Sequence, residues 1–266
     1  MTLIRTFCFF VAALTGSFVS AQEVKPPAKE QFHLYLLVGQ SNMAGRGVVE
    51  EQDRTPHARV ITLNKELKWV SAVDPLHWDK PAVGVGLGKT FGQIMAEAEP
   101  GVTVGLIPCA VGGSPIDAWQ PGVFYPPTKS HPWDDTVKRI EAALAVGTIK
   151  GILWHQGESD CKPELAPGYE AKLHDLVARL RTLVKSPDVP FIAGQMGKFA
   201  DVPPWNAEQV TVDAAHQTLS KKVPHTAFVS AEGLKHKGDK IHFDSASFRE
   251  LGKRYAEAFL RLRSAK

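Results

Sequence analysis

Residues 32–45 read FHLYLLVGQSNMAG. The first seven form a nearly unbroken apolar run of strand length, cut off by the polar turn Gly39-Gln40-Ser41-Asn42. A run this apolar, with no alternation between a wet and a dry side, marks a strand covered on both faces. The same unit recurs outward from it. Short apolar runs at 102–107, 151–154, 190–193 and 226–229 are predicted strands, and residues 87–98, 134–146, 168–184, 207–221 and 245–263 carry helical spacing. In the last of these Phe248, Leu251, Tyr255, Phe259 and Leu260 fall on one face, while Asp134 and Ser245 read as helix caps. Strand–helix alternation predicts an α/β fold with a central parallel sheet and right-handed crossovers. In such sheets ligands collect beyond the carboxyl ends of the strands, so those segments are where chemistry is sought.

Composition narrows the field. The chain has 266 residues, 44% hydrophobic and 22% charged, enough to bury a large core without staples. Its 31 basic and 28 acidic residues are interspersed, which argues against a nucleic-acid partner. Three cysteines make neither a disulfide framework nor a CxxC zinc pair, and the ten histidines include no HExxH. Residues 1–21 stand apart: Arg5, an apolar stretch, then Val19-Ser20-Ala21, the pattern of a cleaved secretory signal. The stretch is shorter than the roughly 20 residues a membrane-spanning helix needs, so no stable membrane association is expected after cleavage. Residues 22–31, with Pro26-Pro27, read as a solvated leader, and 32–266 as one domain in a secreted or periplasmic protein. In that setting Cys109 and Cys161 are open to pairing or to burial as free thiols.

Four segments after the strands carry the chemistry. Ser41 stands in a turn bounded by Gly39 and Gly45, which leaves its hydroxyl little steric cover. Gly112-Gly113, in the stretch GGSPIDAW (112–119), lets backbone N–H groups approach a ligand. WHQGESD (154–160) is unusually polar for the end of a buried strand, and such a cluster is either a costly network or a site. In DKIH (239–242) an Asp three residues before a His can accept the Nδ1 proton, leaving Nε2 free as a base. A nucleophile, an oriented base and oxyanion donors on separate strand ends complete the requirements of acyl transfer. The stretch GVGLGKT (84–90) misses both the Walker A and the dinucleotide spacing and reads as a loop and helix start at the rim.

As a set, GQSNMAG, GGSPIDAW, WHQGESD and DKIH resemble the SGNH (GDSL-type) hydrolases, specifically the carbohydrate esterase family 6 and sialate O-acetylesterase-like branch. That resemblance implies a three-layer α/β/α, flavodoxin-like sandwich that needs no metal or cofactor. It implies Ser41 as nucleophile, His242 as base and Asp239 as its orienting acid, with Glu158 either sharing that role or bracing the Gln156 loop. The oxyanion hole would be the N–H of Ser41, that of Gly112 or Gly113, and the Gln156 amide. Asn42 and Trp119 are carried as substrate contacts; Trp78 and Trp133 are open to packing or to stacking on sugar rings. The implied substrate is an acetyl ester on extracellular polysaccharide or on sialic acid. Another acyl ester, or a noncatalytic carbohydrate-binding protein on this fold, are the alternatives.

Overall fold

The computed structural model describes residues 23–264; the segment read as a secretory signal lies outside the described residues. Strand β1 (Phe32–Gly39) leads into the one-turn helix α1 (Ser41–Ala44), and α2 (Glu51–Arg54), β2 (Val60–Leu63) and β3 (Trp69–Ser71) follow. Then come α3 (Gly88–Ala98), β4 (Thr103–Pro108), α4 (Pro132–Leu144), β5 (Thr148–His155), α5 (Tyr169–Leu183), β6 (Phe191–Gly194), α6 (Ala207–Lys222), β7 (Thr226–Val229) and α7 (Ser245–Ser264). The sheet order is β3-β2-β4-β1-β5-β6-β7, parallel throughout except for the β2–β3 pair at one edge. From β1 the chain builds first toward β3 and then, from β5 onward, in the other direction. The order therefore reverses beside β1, where the carboxyl ends of β4, β1 and β5 stand side by side.

Two cores explain the layers. Along β1, Phe32, Leu34, Leu36 and Val38 pack on the side of α4, α5 and α6, while Tyr35 and Leu37 pack on the side of α3 and α7. The period-two alternation of side chains thus sorts an all-apolar strand between two helical layers. Tyr35, Phe91 and Phe259 meet edge to face in the second core.

Three local expectations are corrected. The sequence pattern left out β2 and β3, which are short and lie at the edge. The leader is not wholly solvated, because Val24 N–H donates to the Trp69 carbonyl and lies against the core. Helix α4 starts at Pro132, so Asp134 sits in its first turn rather than capping it, and α7 is capped by Asp244, whose Oδ1 accepts from Ser247 N–H at 2.7 Å. Among the described residues Cys109 and Cys161 are free thiols, not joined to each other. No helix among the described residues is long and apolar enough to cross a membrane.

Candidate active site

The turn after β1 is fixed by close backbone approach. Gly39 has φ 135°, and a Cβ there would collide with the His155 carbonyl of β5, so the chain can turn at this point only as glycine. Gln40 N–H donates to that carbonyl at 3.0 Å, and Val111 N–H donates to the Gly39 carbonyl at 2.9 Å. The turns after β1, β4 and β5 are thereby stitched together. Ser41 opens α1, and its N–H, being the first of a helix, has no protein acceptor among the described residues.

Facing Ser41 is the loop between β7 and α7. Its two arms pair through Lys237 N–H to the His242 carbonyl (2.9 Å) and Asp244 N–H to the Lys235 carbonyl (3.0 Å). Within the loop, Asp239 Oδ1 accepts from Ile241 N–H (3.0 Å) and His242 N–H (2.8 Å), and Asp239 Oδ2 lies 2.7 Å from His242 Nδ1. His242 Nε2 lies 2.9 Å from Ser41 Oγ. With the Nδ1 proton on Asp239, the Nε2 lone pair faces the serine hydroxyl, so the arrangement can draw that proton off as the oxygen attacks a carbonyl. Burial pulls His242 below its ordinary value against the upward pull of the Asp239 carboxylate, with Arg46 and Lys237 adding to the lowering. Burial works to raise Asp239, but the two N–H bonds and the imidazole outweigh it and hold the carboxyl at about 2. The pair is thus a neutral base on a permanent anion at neutral pH.

Four of the predicted site residues have other duties. Asn42 is fully buried: Nδ2 donates to Glu158 Oε1 (2.6 Å) and to the Ile241 carbonyl (3.1 Å), while Oδ1 accepts from Phe243 N–H (3.4 Å). It cannot touch substrate; it holds the backbone on both sides of His242. Glu158 makes no bond to His242 and acts at one remove, as Asn42's partner, and burial pushes its carboxyl up. Trp119 is fully buried against Trp154, with Nε1 donating to Ser114 Oγ, so it is core. Gln156 is fully buried too. Its two N–H bonds are surrounded by Gln40 Oε1 (3.2 Å), the Ser114 carbonyl (3.1 Å) and Asp160 Oδ2, and its Oε1 accepts from Tyr169 (2.8 Å). No donor remains for an oxyanion.

The glycine turn divides in a similar way. Gly112 N–H donates to Asp79 Oδ2 at 2.7 Å, and the same carboxylate takes Arg46 Nη2 at 2.6 Å, a buried ion pair. A Cβ on Gly112 would strike both Arg46 and Asp79. Gly113 N–H has no protein acceptor among the described residues, whereas its carbonyl is pinned by Tyr125 (2.6 Å) and Ser159 (2.8 Å). The N–H groups of Ser41 and Gly113 are therefore the ones with unspent capacity. Sequence reading missed Arg46, Asp79 and Tyr125; only the requirement that an N–H turn be propped by buried partners could have pointed to them. Among the described residues no group of three or more His, Cys, Asp and Glu is placed to hold a metal ion.

Comparison with known proteins bears on the family and on the fold. Residues 31–261 match the family model described as carbohydrate esterase, sialic acid-specific acetylesterase. A probable carbohydrate esterase of Arabidopsis thaliana is 29% identical over 273 residues, covering 93% of this chain and 98% of that one. The crystal structure of an Arabidopsis thaliana protein superposes with a TM-score of 0.74 at 30% identity, over 86% of this chain and 98% of that one. NanS gives 0.73 at 18% identity, over 90% of this chain and 100% of its own, and shows likeness of fold. A carbohydrate acetylesterase from Xanthomonas citri gives 0.68 at 17%, over 88% of this chain and 57% of that longer one, again a likeness of fold. Matched over most of its length, the chain belongs to the sialic acid-specific acetylesterase family of carbohydrate esterases.

Proposed function

We propose that the protein is an exported serine esterase that removes O-acetyl groups from carbohydrate, acetylated polysaccharide or sialic acid. The observation that carries this reading is the unbroken path Ser41 Oγ–His242 Nε2, His242 Nδ1–Asp239 Oδ2, at 2.9 and 2.7 Å, in a chain of a carbohydrate esterase family. Ser41 Oγ attacks the acetyl carbonyl as His242 Nε2 takes its proton. The N–H groups of Ser41 and Gly113 receive the oxyanion, and the His242 proton passes to the departing sugar oxygen. Water, deprotonated by the same imidazole, then attacks acetyl-Ser41; acetate leaves, the proton returns to Ser41 Oγ, and the enzyme is restored. Asp239 stays ionised throughout, fixing the tautomer and offsetting the imidazolium charge. Export rests on the signal pattern of residues 1–21, and N-terminal sequencing of the exported product should start at Gln22.

The test is acetate release from acetylated xylan, 9-O-acetylated N-acetylneuraminic acid and 4-nitrophenyl acetate by the protein and by Ser41→Ala. Ser41→Ala is expected to lower kcat by more than about 10³-fold on every ester the protein cleaves, with an unchanged melting temperature. Acid quench during turnover should trap an acetyl group on Ser41. Full activity in Ser41→Ala would remove the serine mechanism. A folded protein that spares all three esters would favour a noncatalytic carbohydrate-binding role on the same fold.

A further inference from the structure

Beside the glycine turn, on the face toward α4, lies a cavity of about 150 Å³. One wall is the chain from Pro108 to Val111, which runs directly into Gly112-Gly113; Asp79, the carboxylate that holds Gly112 N–H, belongs to another wall. The cavity therefore shares its boundary with the turn that offers the Gly113 donor, yet neither Ser41 nor His242 lines it.

Two buried polar atoms on this cavity are unspent. His77 is 5% exposed and Arg139 6%, and among the described residues neither His77 Nε2 nor Arg139 Nε has a nitrogen or oxygen partner, the Cys109 thiol being the group set against the guanidinium. The rest of the Arg139 guanidinium is fixed, Nη1 on the Asn64 carbonyl at 2.9 Å and Nη2 on that of Leu63. No carboxylate among the described residues forms an ion pair with it, although Asp79 and Asp135 line the same cavity. Orphaned polar atoms in a buried wall cost free energy unless a ligand or water meets them. Trp78, also in the lining, is 42% exposed, with Arg139 Cζ 4.5 Å from its ring. The guanidinium backs one face of the indole and holds the ring in place, while the exposure leaves ring surface to solvent. Thr128 and Ser130, whose hydroxyls lie 2.7 Å apart, complete the rim.

We propose that this cavity is a glycan subsite, taking a neutral sugar ring adjacent to the one whose acetyl ester is cleaved. The proposal rests on the carbohydrate-ester reading above and adds to it a binding place and a recognition chemistry. A sugar hydroxyl both donates and accepts, so it satisfies His77 Nε2 in either tautomer and receives the Arg139 Nε proton. Asp135 and the Thr128–Ser130 pair supply further acceptors, and the apolar face of a pyranose suits the exposed indole. A free anion fits less well, because the Asp79 and Asp135 carboxylates stand in the same walls. An apolar ligand would leave both orphaned atoms unsatisfied.

The test compares Trp78→Ala with the unaltered protein on three esters: 4-nitrophenyl acetate, an acetylated xylose monosaccharide and an acetylated xylotetraose. Acetylated sialic acid and acetylated sialyllactose serve as a parallel pair. Trp78 is exposed, so the variant is expected to fold, which its melting temperature checks. The expected result is a rise of roughly ten-fold in KM for the oligosaccharide ester, with kcat unchanged and nitrophenyl acetate kinetics within two-fold. The preference for the oligosaccharide over the monosaccharide should vanish. An unchanged KM on an oligosaccharide ester that the unaltered protein cleaves would overturn the subsite alone. Equal losses on all esters would also overturn it, by showing that Trp78 supports the catalytic centre. Cleavage of the aryl ester but of no glycan ester would overturn the carbohydrate reading, and the subsite with it.

Discussion

Two polar clusters sit at the same end of the sheet, a few residues apart across β1 and β5, and they are wired in opposite ways. In Ser41, His242 and Asp239 the bonds run in a line, and among the described residues the serine oxygen has no partner but the imidazole. The His242 side chain is 22% exposed and that of Asp239 36%. In Gln40, Gln156, Asp160 and Tyr169 the bonds close on themselves, and Gln156 and Asp160 are wholly buried. The first cluster keeps the imidazole lone pair and the serine hydroxyl free for a further partner, whereas the second has spent the Gln156 amide on neighbours. In a parallel sheet many strands end in polar residues. What separates a reactive centre from a brace is the capacity left over, and that depends on partners far away in sequence.

Asp239→Asn is the change expected to affect the open cluster most while keeping its shape. An amide facing His242 Nδ1 would favour the proton on Nε2, the wrong tautomer for a base, and kcat should fall by about 10²- to 10⁴-fold. The pH profile adds a signed check. The proposed mechanism needs neutral His242, and burial holds its value below the ordinary 6.5, so the acid limb of kcat/KM should lie below that pH. Asp239 raises His242, and removing its charge lets the value fall further. The limb should therefore move to lower pH as the plateau drops. A limb that moved upward would break the assignment of Asp239 as the orienting acid.

Asn42→Ala probes the support behind the open cluster. It would free the Ile241 carbonyl and Phe243 N–H that bracket His242 and leave Glu158 Oε1 without its donor. Looser placement of the base should lower kcat by about 10- to 10²-fold with little change in KM. Unfolding in urea should also reveal a loss of about 1–3 kcal/mol. A loss confined to KM would return Asn42 to the role of substrate contact.

The open cluster was the more legible of the two. DKIH places its partners three residues apart, so local geometry alone brings Asp239 to His242, and the glycine-bounded turn presents Ser41. The five strands after which chemistry was sought, and the helices between them, follow from apolar runs and 3.6-residue spacing because both cores need them. β2 and β3 escaped notice: runs of four and three residues at an edge carry too little pattern. The closed cluster misled because a polar motif at a strand end looks the same whether its capacity is free or spent. Nothing local to Gln156 says that Gln40, Ser114, Asp160 and Tyr169 will surround it, since these contacts span 4 to 116 residues. Gly112 and Gly113 are neighbours with the same freedom, and Asp79, 33 residues upstream, decides which N–H is left over.

Gln156→Ala sharpens the comparison from the closed side, where the smallest change in turnover is expected. Were the amide an oxyanion donor, kcat would fall by about 10²-fold or more while the fold stayed intact. As a brace, the amide's loss leaves the Asp160 carboxylate and the Tyr169 hydroxyl short of a partner, costing about 2–3 kcal/mol, with kcat per folded molecule reduced less than about ten-fold. Burial already raises Asp160 to about 6, against the lowering that Gln156 supplies, so the variant should carry it higher. A carboxyl raised on folding lends its stability at low pH, below its unfolded value, and loses it as pH rises through the folded value. The stability gap between the protein and Gln156→Ala should therefore widen from pH 5 to pH 8, as read from urea midpoints. A gap that stayed flat with pH, together with a large fall in kcat, would move Gln156 from the brace to the reaction.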